Sequence, residues 1–459
     1  MKTMIDSPIA SIFEERLRTP IDATYDVIVA GGGASGLIAA VAAARTGAKT
    51  LLIEHAGCLG GTGTYAMVAQ WLGFYNGETR VVGGLPLELT EMVTDLGGSD
   101  GFSRYVLAEA SNKPIPLVNF PFNPEVTKIA CDRLAREAGV DVRLHSRVAA
   151  PMLRDDRICG VVVEDIGGRR AFRANVVIDA TGDAMVAAAS GAAFEGGEEE
   201  LRRRRQPCTL VFRLSNVDVA RFRALPREEK RALALEGVKA GRIFWESLSF
   251  CSTPGNTDAI CLMSRIPEID ALDPADLGRA ESEGRGQVHS IVGFLRERVP
   301  GFGRSTLANI AAHVGVRETR RIRGRYALTE EDIVSGKRFT DAIALGAGPM
   351  DLHEAGGTGI SLWMPEHPFE IPMGCLLPEL TPGLIVTGRA ISATRSANGG
   401  SRHMGTAMAL GEASGVLAGL ATAQAVEPTA VNHQAVQARL RRDSALVSLE
   451  DAKAVALAT

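Results

Sequence analysis

The sequence predicts an α/β protein in which a dinucleotide-binding domain, split between the two ends of the chain, encloses a second domain of mixed strands and helices. Three observations predict it. Residues 26–40, DVIVAGGGASGLIAA, run as a strand, a glycine turn and a helix. A second strand ending in an acid, KTLLIE, follows at once. From residue 383 a strand, a glycine-rich loop and a long apolar helix bring the same pattern back.

After its first residue the stretch Asp26 to Ala30 is apolar on both faces, as a strand inside a parallel sheet must be. Gly31-Gly32-Gly33-Ala34-Ser35-Gly36 supplies GxGxxG, and Leu37 to Arg45 reads as an Ala-rich helix. Lys49 to Ile53 is the next strand, and Glu54 lies 54 − 36 = 18 residues past Gly36. That is close to the roughly 20 residues between such a fingerprint and its ribose-binding acid. Gly31 turns the chain, Gly33 clears the approach of a pyrophosphate, and Gly36 lets helix and strand pack closely. The phosphates then meet free N–H groups at a helix N-terminus. Glu54 accepts from ribose hydroxyls and would repel the 2′-phosphate of NADP.

The 459 residues exceed one ordinary domain about threefold. With 50 Lys and Arg against 54 Asp and Glu, the net charge of −4 gives no reason to expect a nucleic-acid partner. Seven cysteines, at 58, 131, 159, 208, 251, 261 and 375, form no CxxC pair, which speaks against iron–sulfur or zinc-ribbon sites. The N-terminal residues carry Glu and Arg where a signal peptide needs an apolar core. The longest apolar stretch, Ala413 to Val426, is too short to span a bilayer. A soluble protein in the cytoplasm is the expectation, with no metal and no membrane partner.

Residues 1–24 read as an extension, 25–189 as the first part of the dinucleotide domain, and 190–374 as a substrate or cap domain. Residues 375–425 read as the second part of the dinucleotide domain and 426–459 as a C-terminal helical tail. Within the first part, GCLGGTGTYAMV (57–68) suits a ligand-wrapping loop and PEVTKIACDRLAREA (124–138) a helix. VDVRLHSRV and CGVVVED read as strands, and Val176 to Ala180 as a buried strand breaking into Thr181-Gly182-Asp183. The run GGEEELRRRRQP reads as a solvated loop, with a phosphate-binding patch as the alternative. In the middle domain CTLVFRLS and AICLMSRI look like strands, and ERVPGFGRSTLANIAAHVG like a charged helix.

The nucleotide-like pieces lie at 26–68, 140–183 and 384–420, a spread that suits a cofactor larger than a nicotinamide dinucleotide. From about residue 25 to 425 the chain resembles the FAD-dependent oxidoreductase family of the glutathione-reductase-like flavoprotein superfamily. The segments GVRETRRI and CLLPELTPGLIVTGRAISATRSANGGSRHMGTAMALGEASG carry the resemblance most narrowly. It implies a Rossmann-like domain holding FAD non-covalently. Gly31, Gly33, Ala34, Ser35 and Gly36 would face the pyrophosphate, with Glu54 and His55 at the adenosine ribose and Val148 at the adenine. Ala180, Thr181, Gly182 and Asp183 would close over the adenosine half. Gly61 and Thr62 would line the flavin side, Gly388 and Arg389 the pyrophosphate and ribityl chain, and Met404 and Gly405 the ring.

Hydride transfer at a flavin needs orientation and often a general acid or base. His353 in MDLHEAGG and His403 in GSRHMG lie in loops beside glycines, where site residues often sit, and each is either catalytic or structural. Arg402 either adds charge near the reduced ring or forms an ion pair. At strand spacing Arg317 and Arg321 share a face and Arg320 points away. That places a carboxylate clamp in competition with a salt-bridge network to Glu318 and Glu330. Cys58 lacks the second cysteine of a CxxxxC pair, which disfavours disulfide exchange. The expected activity is hydride transfer between a small organic substrate, a carboxylate being one candidate, and FAD, with NAD(P)H or another electron carrier as candidate partner and a homo-oligomer as the assembly. The alternatives are an NAD(P)H-dependent flavin monooxygenase and a non-redox, isomerase- or hydratase-like use of FAD.

Overall fold

The computed structural model describes residues 15–107, 115–196, 205–255, 257–355 and 359–458. Its centre is a seven-stranded sheet in the order Asp141–Arg143, Thr50–Ile53, Ile21–Ala30, Gly168–Asp179, Arg157–Asp165 and Arg147–Arg154, with Leu384–Val386 on the end of Gly168–Asp179. The first four strands and Leu384–Val386 pair in parallel, and the last two turn back antiparallel. Strands from both ends of the chain thus share one sheet: Val177, Ile178 and Asp179 pair with Leu384, Ile385 and Val386.

Side chains along a strand alternate between faces. Val27, Val29, Val176 and Ile178 join one apolar cluster, and Ile28, Ala30 and Val177 the other. Burial on both faces is why the motif strand reads as an unbroken apolar run. The strand begins earlier than residue 26, at Ile21, because Ile21 to Ala30 can pair along Ala171 to Asp179. The last residues of the expected extension therefore belong to the sheet, while residues 1–14 lie outside the described residues.

The helices Ala34–Arg45 and Met404–Gln424 pack directly together on one side of the sheet. Gly411, Gly415 and Gly419, four residues apart, form the contact stripe. A Cβ on Gly411 would lie 2.2 Å from the Ser35 carbonyl oxygen, and one on Gly415 2.2 Å from that of Ala39. Met404–Gln424 forms one 21-residue helix, longer than the apolar stretch first delimited, and by composition it is apolar enough to cross a membrane. Within the protein 83% of its most apolar stretch is buried. It carries one buried acid, Glu412, which accepts from the Leu85 amide at 3.2 Å and lines a cleft with Arg45, Glu88 and Asp443.

The middle of the chain builds a four-stranded antiparallel sheet in the order Phe250–Cys251, Ala259–Cys261, Phe212–Ser215, Thr306–Ile310, with the helix Pro274–Arg298 beside it in sequence. The segment ERVPGFGRSTLANIAAHVG is therefore not a helix. The helix stops at Arg298, Pro300 and Gly301 (φ +93°) turn the chain, and Thr306–Ile310 continues as a strand. VDVRLHSRV likewise makes two strands, broken at His145, whose φ is +52°. The helix Pro124–Glu137 is capped by Ala138 immediately before Gly139, as the C-cap signal predicts.

Candidate functional site

The glycine turn leaves the first strand and enters Ala34–Arg45. A Cβ on Gly31 would lie 2.6 Å from the Ala180 carbonyl oxygen, and one on Gly36 1.8 Å from that of Gly31, so both positions need glycine. Gly33 is different: an added Cβ would meet only the Gly61 Cα, at 3.9 Å. Gly33 is also the N-cap and offers no side chain to the first amides of the helix. Those uncapped N–H groups at the positive end of a helix suit a diphosphate.

The other residues expected to hold a cofactor gather around this turn. The Ser35 hydroxyl lies 2.9 Å from that of Thr387, which brings Gly388 against the turn. Gly60 bridges to Gly33 and donates to the Gly32 carbonyl at 2.9 Å, setting Gly61 and Thr62 beside it. Glu54 accepts from the Gly32 amide at 2.6 Å and the Ala56 amide at 2.8 Å, and His55 Nδ1 lies 2.7 Å from its Oε1. Burial pushes the Glu54 carboxyl up, but the His55, Ala56 and Gly32 hydrogen bonds outweigh it and hold the group below its ordinary value. Glu54 is therefore an anion with lone pairs left for ribose hydroxyls. The Ser146 amide donates to the Glu54 carbonyl, so the strand Arg147–Arg154, with Val148 as its second residue, starts next to the same end of the site.

The Ala180 amide donates to the Ala30 carbonyl at 2.8 Å, and the turn Thr181-Gly182-Asp183 is held by Arg389. Arg389 pairs with Asp183 and donates to the carbonyls of Val316 and of Gly182, the latter at 2.9 Å. Thr319 adds a bond to Asp183 at 2.8 Å. Arg389 and Asp183 thus serve as the clasp that ties the turn to the segment before Arg317. Met404 starts the long helix with its sulfur near Gly63, and the Gly405 amide donates to the Leu72 carbonyl at 2.8 Å. Close by, Trp71 Nε1 and Thr406 Oγ1 are buried without a hydrogen-bond partner, near Gly63 and Gly73 respectively. Unspent polar atoms beside the start of that helix fit a group with its own hydrogen-bonding edge.

A residue-by-residue match to a protein family extends over 26–440 and carries the description "FAD dependent oxidoreductase". The chain belongs to this family. Its members' cofactor is FAD, and the cradle just described fits FAD. Over 171 residues the chain is 26% identical to digeranylgeranylglycerophospholipid reductase 1 of Methanococcoides burtonii, which covers 34% of this chain and 38% of that protein. A 43-residue stretch, 9% of either chain, is 54% identical to dihydrolipoyl dehydrogenase of Trypanosoma brucei brucei. The flavoprotein therefore spans well under half the length of the curated relatives it matches. Among solved structures it is similar to a geranylgeranyl bacteriochlorophyll reductase-like protein from Thermoplasma acidophilum, with TM-score 0.47, 16% identity, and coverage of 94% of this chain and 87% of that one. It is also similar to p-nitrophenol 4-monooxygenase from Pseudomonas putida, with TM-score 0.45, 11% identity, and coverage of 91% and 84%.

Of the four residues singled out for chemistry, Arg402, His353 and Arg317 come together, around an acid the sequence reading missed. Asp351 pairs with Arg402 at 2.8 Å, and its other oxygen lies 3.2 Å from His353 Nε2. His353 is not in a loop: it ends the strand Met350–His353, which pairs with Ile360–Trp363 and puts residues 351 and 353 on one face. Arg265 approaches His353 Nδ1 at 3.0 Å. An arginine can only donate, so Nδ1 accepts and the proton sits on Nε2. Burial, then Arg317, pushes His353 down to about 4, and Asp351 opposes them only in part. Burial raises Asp351, but Arg402, His353 and Arg317 hold it well below the usual carboxylate range. His353 is thus held at Nδ1 by Arg265, with Nε2 facing Asp351. His403 is the N-cap of the long helix, buried, with Nε2 2.7 Å from the Pro349 carbonyl and its imidazole kept neutral by burial and Arg402.

Arg317 and Arg321 do not share a face. The segment before Arg321 is irregular, and only Arg321–Ile322 is strand. Arg317 donates to the Pro207 carbonyl at 2.6 Å and Thr209 Oγ1 at 2.8 Å. Arg321 faces Glu318 and Glu195 at 3.7 and 3.6 Å, and Arg320 donates to the Asp183 carbonyl. Glu330 takes no part among the described residues; it opens the helix Glu330–Ser335. Most of the charged run before Pro207 lies outside the described residues, but its end is not solvated. Arg205 is buried against Asp270, and Gln206 donates to Glu318 at 3.1 Å while accepting from the His353 amide.

Proposed function

We propose that this flavoprotein, in the glutathione-reductase-like superfamily, transfers a hydride between a C–H bond of a small organic substrate and non-covalently bound FAD. The observation that carries the reading is the position of Arg402. It immediately precedes the helix that starts at Met404 beside the cofactor cradle, and Asp351 holds it at two points, through Oδ2 and through the backbone carbonyl, both at 2.8 Å. Arg317 sits one residue from Val316, whose carbonyl Arg389 engages, so the cationic residues and the cradle share backbone.

Gly33, the first amides of Ala34–Arg45 and Glu54 would hold the diphosphate and ribose, and Gly61, Thr62 and Met404 would border the ring. When bound, FAD supplies the two-electron chemistry. The chain's own side chains do the rest. Arg402 and Arg317 bind and orient an anionic substrate, Asp351 fixes Arg402, and His353 bridges Asp351 to Arg265. The apolar wall of Trp71, Phe120 and Phe122, with Trp71 and Phe122 ring centres 4.4 Å apart, keeps water from the near side.

The test is the visible spectrum of the purified protein, followed by anaerobic NADH and then NADPH. A yellow protein that releases FAD on denaturation and is bleached slowly or not at all by either nucleotide supports a dehydrogenase reduced by its own substrate. Rapid bleaching with oxygen-dependent NADPH consumption would point to a monooxygenase instead. A colourless protein that FAD cannot reconstitute would overturn the reading.

A further inference from the structure

We propose that Tyr105 touches the substrate and donates a hydrogen bond to an uncharged oxygen on it, a carbonyl or hydroxyl separate from the group that meets the arginines. This rests on the reading above and adds a second contact, from a wall that carries no charge.

The strands Ser103–Leu107 and Ile115–Pro121 pair antiparallel, with Ser103 opposite Asn119 and Tyr105 opposite Leu117. On the far side Gln70 pairs with Pro121. Residues directly opposed across strands share a face, as do residues two apart along one strand. Ser103, Tyr105, Leu117, Asn119 and Gln70 therefore stand on one face. It is the inward face: Ile115, Leu117 and Asn119 are buried, whereas Arg104, Val106 and Pro116 on the other face are exposed. Ile115 and Leu117 join neither of the two apolar clusters, so this face is not spent on the core. Its amides are ordered in one direction. Ser103 Oγ donates to Asn119 Oδ1 at 2.7 Å, and Asn119 Nδ2 donates to Gln70 Oε1 at 3.0 Å.

Tyr105 takes no part in that row. Its ring is half-buried, and its hydroxyl has no hydrogen-bond partner among the described residues, yet it is not one of the sealed polar atoms. Two groups from other elements lie close enough to act on it, Cys251 of the middle sheet and Asp351 of the arginine cluster. Burial, then those two, pushes the phenol up, so it is protonated at neutral pH. Cys251 is a neutral thiol, pushed up to about 12 by burial, with Sγ 3.4 Å from the Ala69 carbonyl. Asp351 is taken by Arg402 and His353. Neither claims the Tyr105 hydroxyl, which stands beside the residues that would hold an anion with its own O–H to give. A hydroxyl in a poorly solvated place gains by meeting an acceptor. An acceptor without charge suits this one, because Asp351 already places a negative charge nearby and would repel a second.

The experiment uses the purified holoprotein under anaerobic conditions with propionate, lactate, 3-hydroxypropionate and pyruvate as probes. Thermal midpoint and the flavin absorption band are read against probe concentration. At least one of the three oxygenated acids should bind about three- to tenfold more tightly than propionate. Tyr105→Phe keeps the ring, and should remove that advantage while leaving propionate binding as it was. Equal binding of all four acids by the wild type, or of none, would overturn the proposal, and that readout needs no variant to fold. A Tyr105→Phe protein that keeps the preference, or that weakens all four acids alike as a structural tyrosine would, also overturns it. FAD content is measured on the same sample. A yellow protein with no preference for the oxygenated acids overturns this inference alone, whereas a flavin-free protein with a Tyr105-dependent preference overturns the oxidoreductase reading and leaves the Tyr105 contact standing.

Discussion

Replacing Glu412 with Gln should abolish a pH-dependent loss of stability. Glu412 is 2% exposed, in the middle of the long helix, with only the Leu85 amide close to its oxygens. Burial, reinforced by Asp443 and Glu88 and opposed by the Leu85 amide and Arg45, pushes its carboxyl from 4.5 up to about 8. The fold therefore prefers the protonated form. The stability this group contributes is complete below its unfolded value and is lost as pH rises through the folded one. One pKa unit is about 1.4 kcal/mol, so ionisation costs the native state about 4 kcal/mol between about pH 5 and about pH 9. At about 2.1 cal/mol/K per residue the unfolding entropy of this chain is near 1 kcal/mol/K, so the wild-type midpoint should fall by about 4 °C relative to Glu412→Gln over that range. The amide keeps an acceptor for Leu85 and cannot ionise. Differential scanning fluorimetry of both proteins across the pH series reads the difference directly. Curves that run parallel from acid to alkaline pH would refute the reasoning.

Other outcomes follow from particular contacts. Gly415→Ala drives a methyl into the Ala39 carbonyl; it should destabilise the protein by about 1–3 kcal/mol and lower the flavin-to-protein absorbance ratio. Glu54→Gln removes the buried anion beside the glycine turn and should weaken FAD binding about tenfold or more in a fluorescence titration of the apoprotein. His353 titrates near 4 instead of 6.5, so the wild type should lose stability as pH falls through that window, by about 2–3 kcal/mol, while His353→Gln stays level in the same scans. Arg402→Lys keeps the charge but loses the Nη2 that donates to both the carbonyl and the Oδ2 of Asp351, and should raise KM for the substrate more than it lowers kcat in steady-state assays.

The cofactor cradle was legible because its physics is local. Gly31, Gly33 and Gly36 are spaced by the geometry of one turn, and Glu54 by the length of one helix and one strand. The cluster around Asp351 was only half legible. Asp351 stands two residues before His353 in a strand, and reading MDLH as strand instead of loop would have put both on one face. Arg265 offered no such signal, since AICLMSRI is an apolar stretch with a single cation whose partner lies 88 residues away. Gln206 was hidden in a run of charges that looks solvated. ERVPGFGRSTLANIAAHVG misled because helical spacing resumes after Pro300 and Gly301, which end the helix and redirect the chain into a strand.

The stripe Gly411, Gly415 and Gly419 sets an order of events during synthesis. The helix Ala34–Arg45 leaves the ribosome early, yet the helix that covers it begins only at Met404. At ribosomal speeds of about 5–20 residues per second the roughly 360 residues between them take about 20–70 s to make. Throughout that interval the nucleotide turn lacks the helix that packs behind it, and the apolar face of Ala34–Arg45 is open to chaperones. The two parts of the seven-stranded sheet are thus separated in synthesis by everything between Asp179 and Leu384.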